Sequence, residues 1–194
     1  MPLNIPMLLT WLRIILIPLL VAVYYVPEGW IGWVGRDTAA MIIFVSAGVT
    51  DWLDGYLARR WNETSAFGAF LDPVADKLVV ATALILLVQF DRVDTIIAVI
   101  IIGREITISS LREWMAQIGA HKSVAVSMIG KIKTAAQMVA IPMLLYKAPL
   151  FGLDTLWCGT WLVYVAAVLT LWSMGYYMRM AWPHLAGHDK KNKP

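Results

Sequence analysis

Charge is scarce in this chain. Only 15% of its 194 residues are charged, 60% are hydrophobic, and the mean hydropathy is +0.69. Soluble domains are roughly a quarter charged, so an ordinary water-soluble globule is excluded. Cysteine is almost missing: Cys158 stands alone, which rules out an internal disulfide framework and a cysteine metal site. The three histidines, His121, His184 and His188, show no metal-ligand spacing. GxxxG is absent, so helix contacts in a membrane must use other small residues. The net charge of +3 comes mostly from the tail Lys190–Lys193. A short basic tail suits topology and anionic lipid and gives no nucleic-acid surface. No fixed-period repeat or low-complexity segment is present.

What is abundant is apolar sequence in long runs. About 20 apolar residues cross a bilayer core as a helix, and six segments meet that need: roughly 5–26, 38–59, 67–90, 93–113, 124–146 and 156–180. The expectation is an all-α integral membrane bundle of six transmembrane helices, one domain over 1–194 with a short basic cytoplasmic tail at 183–194. No Lys or Arg precedes the first segment and no small-residue cleavage site follows it, so it reads as a permanent span and not a signal peptide. Pro6 and Pro18 bend it. Arg59, Arg60, Arg112, Lys122, Lys131, Lys133, Arg179, Lys190, Lys191 and Lys193 fall on one side; Arg36, Arg92 and Lys147 fall on the other. Ten against three puts both termini in the cytoplasm. Trp30 and Trp33 at one end, and Trp182 at the other, suit the interfaces.

Four aspartates interrupt this apolar background. Asp51 and Asp54 share one face of the second segment, and Ala58 continues it; Asp72 and Asp76 share a face of the third, with Gly68 one turn earlier. An ionised Asp at mid-membrane costs about 2.5–3.5 kcal/mol, so four without compensation would cost on the order of 10 kcal/mol. A water-facing position at the interface would reduce that cost without giving them a task. The short connection Arg60–Ala66 instead makes the two spans antiparallel neighbours, with both carboxylate pairs near the cytoplasmic end. Only Arg59 and Lys77 are basic and close in sequence, and Lys77 is one residue off the Asp stripe. Two divalent cations would balance the cluster, and all-oxygen ligation points to Mg²⁺ or Mn²⁺. Such a pair can clamp a pyrophosphate for in-line displacement. Gly55 and Gly68 allow close approach of a ligand or of a packed helix.

Together these residues read Asp51-x-x-Asp54-Gly55-x-x-Ala58-Arg59, then eight residues, then Gly68-x-x-x-Asp72-x-x-x-Asp76. This resembles, at every position, the signature of the CDP-alcohol phosphotransferases. Asn4-Ile5-Pro6, Thr10, Arg13, Arg104-Glu105-Ile106, Leu111-Arg112-Glu113-Trp114 and Gly130-Lys131-Ile132-Lys133-Thr134 extend the likeness over nearly the whole chain. They resemble the bacterial members that join CDP-diacylglycerol to sn-glycerol 3-phosphate. The resemblance implies that product, with release of CMP, a homodimer, and a bacterial inner-membrane location with the active site facing the cytoplasm. It implies that Asp51, Asp54, Asp72 and Asp76 hold two metals and that Asp76 also takes the acceptor's hydroxyl proton. It implies that Thr10, Asp51, Gly55, Ala58, Arg59, Ser65 and Gly68 receive CDP-diacylglycerol.

An acceptor that carries a phosphate needs a second positive cluster. Arg104 and Arg112 lie eight apart on one helix face, and Lys131 and Lys133 open the next helix. Arginine binds phosphate in bidentate fashion and lysine as a point charge; Arg104 also has Glu105 beside it as a structural partner. An ion-coupled transporter would spread its carboxylates through the bilayer and use inverted repeats, neither of which is present. A scaffold gives four buried acids no use. Within the family, inositol phosphate, serine or phosphatidylglycerol are the rival acceptors, and the last has less need of the basic cluster.

Overall fold

A computed structural model describes residues 5–61, 66–118, 128–150 and 152–191. It contains six long helices: α1 (Ile5–Ala22), α2 (Glu28–Trp61), α3 (Ala66–Gln89), α4 (Thr95–Gln117), α5 (Met128–Tyr146) and α6 (Thr155–Lys191). A 3₁₀ turn, Val23–Tyr25, extends α1. No strand forms among the described residues.

Local chemistry sets several boundaries. Asp94 caps α4, its carboxylate accepting from the Ile96 N–H at 2.7 Å. Asp154 caps α6 by accepting from the amides of Leu156 and Trp157. Gly32 has φ 60° and ψ 173°, a conformation essentially reserved for glycine. It breaks α2 after one turn, so Trp30 sits on a separate leading turn, strongly exposed. The second helix therefore begins ten residues earlier than the apolar run suggested, behind a kink. The last helix also runs past the expected end near 180. At about 1.5 Å per residue, its 37 residues exceed a hydrocarbon core of about 30 Å.

The polarity is inside out. Leu12, Ile15 and Leu19 of α1, Val45, Val49 and Trp52 of α2, and Val168 and Trp172 of α6 all face outward. Among the described residues three helices are long and apolar enough to cross a membrane, Met7–Tyr25, Glu28–Ala58 and Thr155–Met180, and only 22–33% of an apolar 18-residue stretch of each is buried within the chain. An outer surface of this kind is solvated by lipid. The other three helices are interrupted by charged residues along their sequences: Asp72, Asp76 and Lys77 in α3, Arg104, Glu105, Arg112 and Glu113 in α4, and Lys131 and Lys133 in α5.

The main core lies toward the end of the bundle opposite the Asp motif, around Leu20, Phe44, Leu84, Leu87, Ile101, Ile141 and Leu144. That end is tied by Arg92, which donates to both oxygens of Asp37 at 2.7–2.8 Å and to the last α5 carbonyls, Leu144 and Leu145. A smaller core, Ile108, Met115 and Tyr177, closes the motif end between α4 and α6. The polar residues of the motif helices sit between these two packed regions.

Candidate active site

Helix α1 supplies what the motif helices lack. Thr10 and Arg13, three apart, share a face and are both buried. Thr10 donates to Asp72 at 2.6 Å. Arg13 donates to Asp54 through one Nη, and the other Nη lies 2.9 Å from Asp51. Among the described residues a compensating cation is thus Arg13, 41 residues from Asp54. Lys77 turns away and donates to its own helix, at the Pro73 carbonyl. Arg13 did have a sequence signal, since an arginine inside an apolar span needs the same explanation as an aspartate there.

The carboxylates form one electrostatic group. Asp54 feels the charges of Asp72 and Asp51, and Asp76 feels those of Asp51 and Glu105. Asp54 is buried, whereas the Asp51 side chain is 42% exposed. Gly55, Ala58 and Gly68 are intermediate in burial. Ser65, and the side chains of Arg59 and Lys131, lie outside the described residues.

Beside Asp76 opens a cavity of about 310 Å³ walled by α3, α4 and α5. Arg104 and Arg112 line it, as the eight-residue spacing predicted. Both approach the ring of Tyr177, at 6.0 and 5.8 Å from its centroid. Arg104 is buried, donates to Ser173 at 3.0 Å and lies 3.5 Å from Glu105. Lys133 is fully buried and paired with Glu105 across α4 and α5. The pairing of Arg104 with Glu105 read from the sequence is present, and Lys133 joins it as a second partner of the same carboxylate. Arg112 has no ion pair among the described residues and keeps its guanidinium available.

The sequence profile of the CDP-alcohol phosphatidyltransferase family matches residues 3–172. The chain belongs to that family. The CDP-diacylglycerol–glycerol-3-phosphate 3-phosphatidyltransferase of Escherichia coli strain K12 is 52% identical over 183 residues, covering 93% of this chain and 96% of that protein. Proteins of the same name from Shigella sonnei and Shigella boydii match to the same extent. CDP-alcohol phosphatidyltransferases generally depend on divalent metal.

The residues present suit such an ion by chemistry. The donor set is all carboxylate oxygen, which favours hard cations. The Arg13 guanidinium already occupies the negative pocket as a cation, yet its Nε lacks a hydrogen-bond partner among the described residues, and so does the Nη facing Asp51. As the side chains stand, no three acidic, histidine or cysteine groups among the described residues are close enough to share one ion. Asp51 and Asp54 are held by Arg13, and Asp72 is held by Thr10. Ligation of a metal therefore requires these carboxylates to turn from their present partners.

Proposed function

We propose that the chain transfers the phosphatidyl group of CDP-diacylglycerol to sn-glycerol 3-phosphate, giving phosphatidylglycerophosphate and CMP on the route to phosphatidylglycerol. The observation that carries this reading is a single cavity lined by Asp76 on one side and by Arg104 and Arg112 on the other. A base and a phosphate-binding cluster then face one small acceptor. The resemblance of the chain over 93% of its length to enzymes named for this reaction supports it.

In this mechanism Arg112 holds the acceptor's phosphate, with Arg104 behind it, and Lys131 and Lys133 add positive charge. The acceptor's terminal hydroxyl then lies toward Asp76. Its oxygen bonds to the phosphorus that carries diacylglycerol while the bond from that phosphorus to CMP breaks. Asp76 takes the hydroxyl proton. Thr10, Asp51, Gly55, Ala58, Arg59, Ser65 and Gly68 receive the CDP-diacylglycerol. Two ions, Mg²⁺ or Mn²⁺, would be held by Asp51, Asp54, Asp72 and Asp76 and would supply charge neutralisation of the pyrophosphate. All six helices cross a bacterial inner membrane, with the motif end in the cytoplasm where the soluble acceptor and CMP are found. The enzyme is a homodimer.

The test uses purified protein with CDP-diacylglycerol and Mg²⁺, offered glycerol 3-phosphate, inositol phosphate, serine and phosphatidylglycerol in turn, with CMP release followed. Glycerol 3-phosphate is the expected acceptor, and excess chelator should stop the reaction until Mg²⁺ or Mn²⁺ is restored. Turnover with another acceptor alone would overturn the assignment. Full activity in chelator would overturn the metal.

A further inference from the structure

The cavity beside Asp76 holds a polar side chain to which the reaction above gives no task. Gln137 lies one turn beyond Lys133 on the same face of α5, only 4% exposed. Its Nε2 has no hydrogen-bond partner among the described residues. It lines the cavity together with Asp76, Arg104 and Arg112. A buried amide left unpaired is destabilising, and an apolar side chain of the same shape would serve a bundle core better. Its retention here calls for a ligand.

We propose that Gln137 determines acceptor specificity by hydrogen bonding the middle hydroxyl of glycerol 3-phosphate. This deepens the acceptor assignment and rests on it. The acceptor has three polar groups: the hydroxyl that reacts, the phosphate, and one hydroxyl between them. Asp76 from α3 serves the first and Arg112 from α4 the second, so the third wall, α5, faces what remains. The competing polar groups of the lining are engaged. Lys77 donates to the Pro73 carbonyl, Ser109 to the Glu105 carbonyl, and Arg104 to Ser173. Val80 and Met138, also in the lining, offer a hydroxyl nothing. A glutamine amide presents a donor and an acceptor, and its last torsion is broad and roughly two-fold. It can therefore turn its free N–H to an incoming hydroxyl without moving α5.

The test compares glycerol 3-phosphate with 3-hydroxypropyl phosphate, which keeps the reacting hydroxyl and the phosphate but lacks the middle hydroxyl. For the parent enzyme with CDP-diacylglycerol in mixed micelles, kcat/KM should favour glycerol 3-phosphate by about tenfold, the effect of one neutral hydrogen bond. Gln137→Met should remove that preference by raising KM for glycerol 3-phosphate about tenfold, leaving 3-hydroxypropyl phosphate nearly unchanged. Gln137→Leu should do the same. Neither variant should melt below the parent, because each removes an unpaired buried amide. An equal loss on both acceptors would make Gln137 a packing residue and overturn the proposal. So would a preference that survives both substitutions in an enzyme that uses glycerol 3-phosphate; the acceptor assignment would then stand alone. If the parent used neither phosphate, proposal and assignment would fall together.

Discussion

Arg13→Met removes a buried positive charge from between two aspartates while keeping a side chain of similar length. Its principal partner, Asp54, is 5% exposed, so it would be left as a buried carboxylate without a cation. Breaking one side of a buried ion pair costs about 3–5 kcal/mol. Asp51, at 42% exposure, is screened and adds about 1 kcal/mol or less. For a chain of this length each kcal/mol corresponds to about 2–4 °C. The variant should therefore melt roughly 6–24 °C below the parent in excess chelator. Added Mg²⁺ should recover more stability in the variant than in the parent, since the ion then supplies the missing charge. At a concentration one hundred times its Kd it contributes about 2.7 kcal/mol, around half the loss. The ten tryptophans make intrinsic fluorescence a convenient readout in detergent. Arg13→Lys, which keeps the charge, should lose less. A variant that melts with the parent in chelator would refute the role of Arg13 as the internal counter-charge. Equal stabilisation by Mg²⁺ in both proteins would refute the view that Arg13 and the metal serve the same carboxylates.

Two further outcomes concern chemistry and orientation. Arg112→Ala should lower kcat/KM for the acceptor roughly ten- to a hundredfold, as loss of a charge-assisted hydrogen bond does, and high acceptor should partly rescue it. Asp76→Asn should collapse kcat without rescue, and the reverse pattern would exchange the two roles. On a Cys158→Ser background, Arg60→Cys should be shielded from an impermeant thiol reagent in intact cells and Gly29→Cys should be modified. Labelling of the first and not the second would put the motif on the wrong side for a soluble nucleotide product.

The helices were legible because lipid imposes one simple rule on sequence. A run of apolar residues long enough to cross must satisfy its backbone internally, and among the described residues each of the six runs contributes a helix, three of them long and apolar enough to cross. The errors fall where that rule is silent. It gave no warning that Gly32 would break α2, because a left-handed glycine leaves no mark in hydropathy. The Asp motif was legible because helical spacing alone puts Asp51 with Asp54 and Asp72 with Asp76. Arg104 and Arg112 shared a face for the same reason. The pairings between helices were not legible. Arg13 with Asp54, and Lys133 with Glu105, depend on which helices become neighbours, whereas Arg104 with Glu105 was legible because the two are adjacent in sequence. Gln137 gave no signal at all, since a glutamine becomes conspicuous only when its surroundings show it buried and unpartnered.

The bond between Arg13 and Asp54 also sets an order of assembly. The arginine is synthesised 41 residues before its partner. At about 5–20 residues per second, about 2–8 s pass in which α1 exists with its charge and α2 does not. An arginine inside a lone span is unfavourable by up to about 2.5–3.5 kcal/mol, the mid-membrane figure, and by less toward the end where Arg13 lies. The apolar residues around it, with a mean hydropathy of 2.2, must carry α1 through that interval. Completion of α2 delivers two carboxylates to the waiting guanidinium, so the first two helices become a nearly neutral hairpin before the rest of the bundle is made. The residue that later steadies Asp51 and Asp54 is, during synthesis, the part of the first helix that gains most from the arrival of the second.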